Sequence, residues 1–230
     1  MHRFLLSVIL LLSSVAVLAQ QTSSSTAALL EKKPSRNPDL EGIVLTYHAD
    51  FLRGFPASPA NFREGRSGGV TIAFFANQRL GKSRFSFAEG VGISTRHYFS
   101  NIQDWTVAGT FYPDSPEVKN KHMVTTIDLP LEFRFTTREK GNLKPFKMVV
   151  GFNFGYVIGF RHKRTLGNVV NITSGDASNR TVNPWRPAFT ARIGYHRMAI
   201  SGYYGITELF GDGAAYRNIR PWSVGISLTL

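Results

Sequence analysis

Residues 146–161 read Phe-Lys-Met-Val-Val-Gly-Phe-Asn-Phe-Gly-Tyr-Val-Ile-Gly-Phe-Arg. The even positions, Phe146, Met148, Val150, Phe152, Phe154, Tyr156, Ile158 and Phe160, are large and apolar or aromatic. The odd positions, Lys147, Val149, Gly151, Asn153, Gly155, Val157, Gly159 and Arg161, are small, polar or charged apart from two valines. A period of two marks a β-strand, whose successive side chains point to opposite faces. Strands of globular proteins are usually ~5–6 residues long, and this run is far longer. One face is greasy along its whole length and the other is Gly-rich and charged, which does not suit the core of a soluble sandwich. A tilted strand crosses a bilayer in about 9–11 residues. Lipid on one side and a polar, packed barrel interior on the other is the environment that fits.

The same alternation recurs at about 42–51, 70–80, 85–98, 123–135, 185–195, 198–209 and 222–230. In 123–135, Met123, Ile127, Leu129, Leu131, Phe133 and Phe135 share one face, opposite Val124, Asp128, Glu132 and Arg134. In 222–230, Trp222, Val224, Ile226, Leu228 and Leu230 alternate with Ser223, Gly225, Ser227 and Thr229. Two positions depart from the pattern. Phe75 interrupts a polar face, and Glu89 falls on an apolar one. A β-bulge near Glu89 would rotate it inward; without one it sits on the lipid side near the periplasmic interface, where an acid costs little, and the sequence leaves both open. The connections run long, short, long, moderate, long, short, long. That alternation predicts an all-β, eight-stranded, antiparallel up-and-down transmembrane barrel, with both termini and short turns in the periplasm and longer loops outside. Trp185 and Trp222 begin downward strands, at the outer interface. Phe85, Phe135, Phe146 and Tyr195 lie at inner ends, so the chain should carry two aromatic girdles.

Residues 1–19 read as a secretory signal peptide: a short basic start at His2 and Arg3, an apolar run, and Val17-Leu18-Ala19 before a cleavage expected ahead of Gln20. The run is too short for the ~20 residues of a spanning helix. Residues 20–41, rich in Ser, Thr, Ala and Lys with Pro34 and Pro38, read as a periplasmic linker. The barrel is expected over 42–230. No later apolar run reaches the length of a membrane helix, so any crossing must use strands. The absence of cysteine excludes disulfides, thiol nucleophiles and thiolate metal sites. A net charge of +12 often signals nucleic acid, but export argues against that partner. The counter-charges expected in an outer membrane are lipid phosphates and the chain's own buried carboxylates.

Arg96, Asp128, Glu132, Arg134, Lys147, Arg161, Arg186 and Arg192 all fall on the inward face by alternation. An eight-stranded barrel is just wide enough for side chains to fill it, and buried charges must be paired. A salt-bridged plug of the lumen is therefore expected. His162, Lys163, Arg164 and Arg180 lie in or beside the longest loop and read first as a solvated loop, with contact with lipopolysaccharide phosphates as the functional alternative. His48 and Asp50 share an inward face near the outer rim, where His97 and His122 also lie. No serine stands at a spacing that completes a hydrolase site with them, and no close His pair suits a metal. No catalytic residue, cofactor or metal is expected. Asn171-Ile172-Thr173 and Asn179-Arg180-Thr181 match the glycosylation pattern but read as ordinary loop residues.

Four stretches carry a family resemblance: Phe87-Ala88-Glu89-Gly90-Val91-Gly92-Ile93-Ser94, Ile127-Asp128-Leu129-Pro130-Leu131-Glu132-Phe133, residues 151–159, and Arg220-Pro221-Trp222-Ser223-Val224-Gly225-Ile226-Ser227-Leu228. Over about 42–230 the chain resembles the Bacteroidetes-type outer-membrane β-barrel family, which includes PorT-like proteins. The resemblance implies an outer-membrane barrel and, from the PorT-like members, a link to protein secretion machinery. The chain departs from many outer-membrane barrels in ending on Leu230 rather than an aromatic residue. The expected protein is a structural or interaction barrel, not an enzyme, in the outer membrane of a Gram-negative bacterium. It is expected to be a monomeric barrel, with membrane lipid, lipopolysaccharide and envelope or secretion proteins as partners. A narrow pore or small-ligand barrel is the alternative, and a membrane-embedded lipid hydrolase a third.

Overall fold

The computed structural model describes residues 42–54, 62, 64–81, 83–100, 118–137, 144–166, 169–175, 182–211 and 218–230. The segment read as signal peptide and linker, and Arg180, lie outside these residues. The chain forms β1 (Ile43–Arg53), β2 (Gly68–Arg79), β3 (Phe85–Phe99), β4 (Val118–Thr136), β5 (Phe146–Leu166), β6 (Val169–Gly175), β7 (Trp185–Tyr195), β8 (Met198–Gly205) and β9 (Arg220–Thr229). All but β6 hydrogen-bond in the order β4-β3-β2-β1-β9-β8-β7-β5, and β5 pairs back onto β4. Eight antiparallel strands thus close on themselves. Closure pairs each of these eight strands on both sides, the condition for strands in hydrocarbon.

The greasy face is outside. Ile127, Phe154 and Val224 are exposed at 43%, 47% and 45%, while Asp128, Asn153 and Ser223 beside them are buried at 4%, 7% and 2%. A soluble ligand-carrying barrel would have the opposite polarity. Phe146 and Tyr156 are ten residues apart on the outward face of β5. At ~3.3 Å per residue and a tilt of about 40°, they differ in height by about 25 Å, the height of an outer-membrane apolar band. Tyr156 packs edge-on against Trp185 at 5.0 Å, and Phe51 stacks on Trp222 at 4.4 Å, at the outer end. At the inner end Phe85 lies 5.3 Å from both Phe133 and Phe135, and Phe146 pairs with Tyr195. The Tyr195 hydroxyl accepts a hydrogen bond from the Lys144 amide at 2.9 Å. The β7–β8 turn is tight, with His196 at φ 57°.

Three expectations are corrected. First, β5 carries a β-bulge. Thr126 faces Val157 but Thr125 faces Gly159, so Ile158 is an extra residue. Beyond it the faces exchange: Phe160 is buried in the barrel and Arg161 is exposed on the wall. Strict alternation put Phe160 outside and Arg161 in the lumen, because counting by two cannot register an inserted residue.

Second, the region read as one long loop after 161 is partly sheet. β5 runs on to Leu166 and folds back as β6, with Phe160 opposite Gly175 and Leu166 opposite Val169. β4 likewise starts at Val118, not 123. Beyond the bilayer the outward face need not be apolar, so the alternation fades although the ladder continues.

Third, Glu89 is not bulged inward. Its register with Ala76 on one side and Leu131 on the other is unbroken, and it is exposed on the apolar wall. It lies four residues above Phe85, about 10 Å into the band by the same rise and tilt. Glu89→Leu is expected to stabilise the barrel by about 1–2 kcal/mol, since a lipid-facing acid costs less than the ~2–4 kcal/mol of a mid-bilayer cation. Urea unfolding in phospholipid vesicles reads this; a lowered midpoint would mean that Glu89 faces something other than lipid.

Candidate functional site: the barrel lumen

The upper polar cluster is built by β1, β3 and β9. Asp50 is fully buried, and its Oδ1 accepts from Arg96 Nη1 at 2.6 Å, Ser223 Oγ at 2.6 Å and His48 Nδ1 at 3.0 Å. Arg96 also donates to Ser223 Oγ at 2.6 Å, and its guanidinium lies 4.0 Å from the centre of the Tyr203 ring. His48 stands in register with Gly69 on β2 and Gly225 on β9. A Cβ at Gly69 would lie 2.8 Å from the imidazole, and one at Gly225 would lie 2.8 Å from the His48 Cβ. The glycines of the inward face thus make room for the large polar side chains beside them. His48 Nε2 lies 3.4 Å from Thr71 Oγ1, which is 2.9 Å from Ser94 Oγ.

Ser94 passes the network to Asp128, to which its hydroxyl donates. Asp128 also accepts from Thr126 Oγ1 at 3.2 Å and Asn153 Nδ2 at 3.0 Å. Lower down, Glu132 Oε2 holds two arginines, Arg134 Nη2 and Arg192 Nη2, each at 2.7 Å. Phe75 points inward between them, 4.4 Å from Arg134 and 5.7 Å from Arg192. Its place on a polar face, an irregularity in the alternation, is explained by cation–π packing. A cavity of about 100 Å³ lies between the two clusters, lined by His48, Arg96, Asp128, Glu132, Arg192 and Tyr203 among others.

Above the polar clusters the lumen turns apolar. Leu52, Tyr98, Val124, Val157 and Phe160 from the strands meet Val182, Leu209, Phe210 and Ile219 from the outer connections in one buried cluster. Backbone bonds anchor those connections: Leu209 donates to Ile219 at 2.7 Å, Asn183 to Leu209 at 3.2 Å, and Val157 to Pro184 at 2.9 Å. Beside this cap, His122 stacks on Phe160 and on His162, the latter at 4.4 Å.

Of the expected lumen charges, Arg96, Asp128, Glu132, Arg134, Arg186 and Arg192 are buried inside. Arg186 is buried too, and its Nη1 has no hydrogen-bond partner among the described residues. Lys147 is half-buried at the inner mouth, near His196, Arg197 and Thr229. Arg161 is not in the lumen, for the reason given by the bulge. His162 points inward and bonds Asn120, so it is not on the outer wall; Lys163 is exposed there, and the Arg164 side chain lies outside the described residues. His48, Asp50 and Ser223 were missing from the expected network. Their shared inward parity was the signal, and it was masked by reading His48 and Asp50 as rim residues.

Asp50, His48 and Thr71 form an acid–imidazole–hydroxyl series, the order used to activate a nucleophile. Here Asp50 is also held by Arg96 and Ser223, and the His48–Thr71 contact is long, at 3.4 Å. Among the described residues, no three His, Asp or Glu side chains converge as a metal site would require.

The closed ladder, the outward apolar band between two aromatic rings and the ion-paired interior define a transmembrane β-barrel. The sequence profile of the outer membrane protein beta-barrel domain family matches residues 43–211. The match covers well over half of the chain, which therefore belongs to that family and goes with an outer-membrane location. It stops short of β9, the strand that pairs with β1 and β8 to complete the wall. Neither curated proteins nor solved structures give a significant match.

Proposed function

We propose that this protein is a sealed barrel that works as a structural or interaction element of the outer membrane, and not as a channel or an enzyme. The observation that carries this reading is the apolar cap over two layers of ion pairs. An ion crossing the lumen would have to leave water for a cluster of Leu, Val, Ile and Phe side chains, a step that costs several kcal/mol. The cavity below, at about 100 Å³, is well under the ~300–1,000 Å³ of small-molecule sites and suits a few waters. Contacts then fall to the outer surface, where β4, β5 and β6 extend beyond the aromatic ring, and to the exported N-terminal segment once residues 1–19 are removed. The resemblance to PorT-like proteins favours a partner in secretion or envelope assembly, and the basic rim favours lipopolysaccharide. In planar bilayers the refolded barrel is expected to give no unitary current steps at ±100 mV. Regular open steps would overturn the sealed reading and favour a narrow pore.

A further inference from the structure

We infer that the outer wall of the barrel just beyond the aromatic ring, at Lys121, Arg161 and Lys163, binds the phosphate groups of an outer-leaflet lipid. The inference deepens the proposed lipid partnership by assigning it a site. On β5, Ile158 is the last large apolar side chain on the outward face, and Arg161 and Lys163 are the next charged ones, both exposed. On β4, Lys121 stands directly opposite Lys163, and Met123 opposite Arg161. Lys121 is half-buried, with its ammonium 5.6 Å from the centre of the Phe99 ring.

Like charges placed directly across a ladder repel one another. None of the three cations has a carboxylate partner among the described residues, and the one acid on the described apolar wall, Glu89, is near the other end of β3. The β-bulge at Ile158 makes the cluster. Were Ile158 paired in regular alternation instead of bulged, Arg161 would join the lumen, where the described buried arginines already outnumber the described buried carboxylates: four (Arg96, Arg134, Arg186, Arg192) against three (Asp50, Asp128, Glu132). Placed outside, it completes a triangle of positive charge at headgroup height, where long basic side chains meet phosphate oxygens while their stems lie on apolar surface. A phosphate between Lys121 and Lys163 would turn their repulsion into two attractions.

The full-length barrel, refolded into phosphatidylcholine vesicles with a few mole per cent of a bisphosphorylated glycolipid, provides the test. Lipid retained after detergent extraction is counted by native mass spectrometry at fixed ionic strength. Wild type is expected to retain the bisphosphorylated lipid roughly 100-fold more than a Lys121→Gln/Arg161→Gln/Lys163→Gln variant, as three cations near an anionic surface imply. Arg161→Lys, and an inner-end triple of Arg79→Gln, Arg84→Gln and Arg197→Gln, should retain it like wild type. Phosphatidylcholine should not be enriched, and free pyrophosphate should not displace the lipid.

Equal retention by the rim variant, an equal loss in the inner-end variant, or free pyrophosphate binding as strongly as the lipid would each overturn the site. Heat-modifiability on gels reports folding in every arm. Should the triple variant fail to fold, Lys163→Gln, at an exposed position, replaces it, with a loss of roughly five-fold expected and no loss counting against the site. A wild-type barrel that does not insert would speak against the membrane reading itself, which separates the two failures.

Discussion

Glu132→Gln is expected to destabilise the barrel by about 3–5 kcal/mol, the cost of removing one member of a buried ion pair. Glu132 Oε2 is the common acceptor of Arg134 and Arg192, both at 2.7 Å, and all three side chains are buried. The amide keeps the shape but removes the charge that the two guanidiniums share, on either side of Phe75. Phe75 offsets little of this, since a cation–π contact contributes about 0.5–2 kcal/mol. Arg186→Met serves as the contrast. No described carboxylate pairs with Arg186, so its loss strands no charge and should change stability by less than about 1 kcal/mol or raise it. Urea titration of both variants in vesicles checks the pair. Equal effects would mean that the lumen is wetter than its packing implies, with solvent screening the charges.

The second large effect concerns chain length within β5. Deleting Ile158 is expected to leave a folded barrel, because that residue has no partner of its own on β4. Its removal straightens the ladder and keeps Phe160 inside and Arg161 outside, at a cost of no more than about 1–3 kcal/mol for its lost lipid contacts. Deleting Val150 should abolish folding. Val150 is paired with Phe133 and Ala191 on its two sides, and a one-residue slip sends every side chain beyond it to the other face. Phe152, Phe154 and Tyr156 would enter a lumen already full, and Asn153 would meet lipid. The folded, heat-modifiable band should persist in the first deletion and vanish in the second. Similar behaviour of the two would refute the assignment of Ile158 as the inserted residue.

Much of the wall was legible in the residues because lipid imposes one simple rule on every crossing strand. Alternation in 123–135 and 222–230 gave the faces of β4 and β9 without contradiction, and Trp185, Trp222, Phe85 and Tyr195 marked the two interfaces. The rule weakens where the lipid ends. The outer parts of β4 and β5, and all of β6, carry charged or mixed faces, so they read as loop. Glu89 shows the reverse limit: an acid in the band is tolerated at modest cost, and assuming otherwise called for a bulge that is not there.

The lumen was legible in kind but not in its pairings. Parity alone says that Arg96, Asp128, Glu132 and Arg192 face inward. Which of them meet depends on the stagger between strands that are distant in sequence, as when Asp50 on β1 binds Arg96 on β3 and Ser223 on β9. The apolar cluster depends on it more strongly still, since Val182, Leu209, Phe210 and Ile219 meet Leu52, Tyr98, Val124, Val157 and Phe160, which are far from them in sequence. The sequence by itself determined that this chain is a membrane barrel with an oily exterior, because side-chain alternation and bilayer thickness are local and repeat along the chain. Only the tertiary structure decided which apolar side chains gather in the lumen, which arginine left it and which charges pair. Those outcomes depend on strand register and one inserted residue, neither of which has a signature in composition or period.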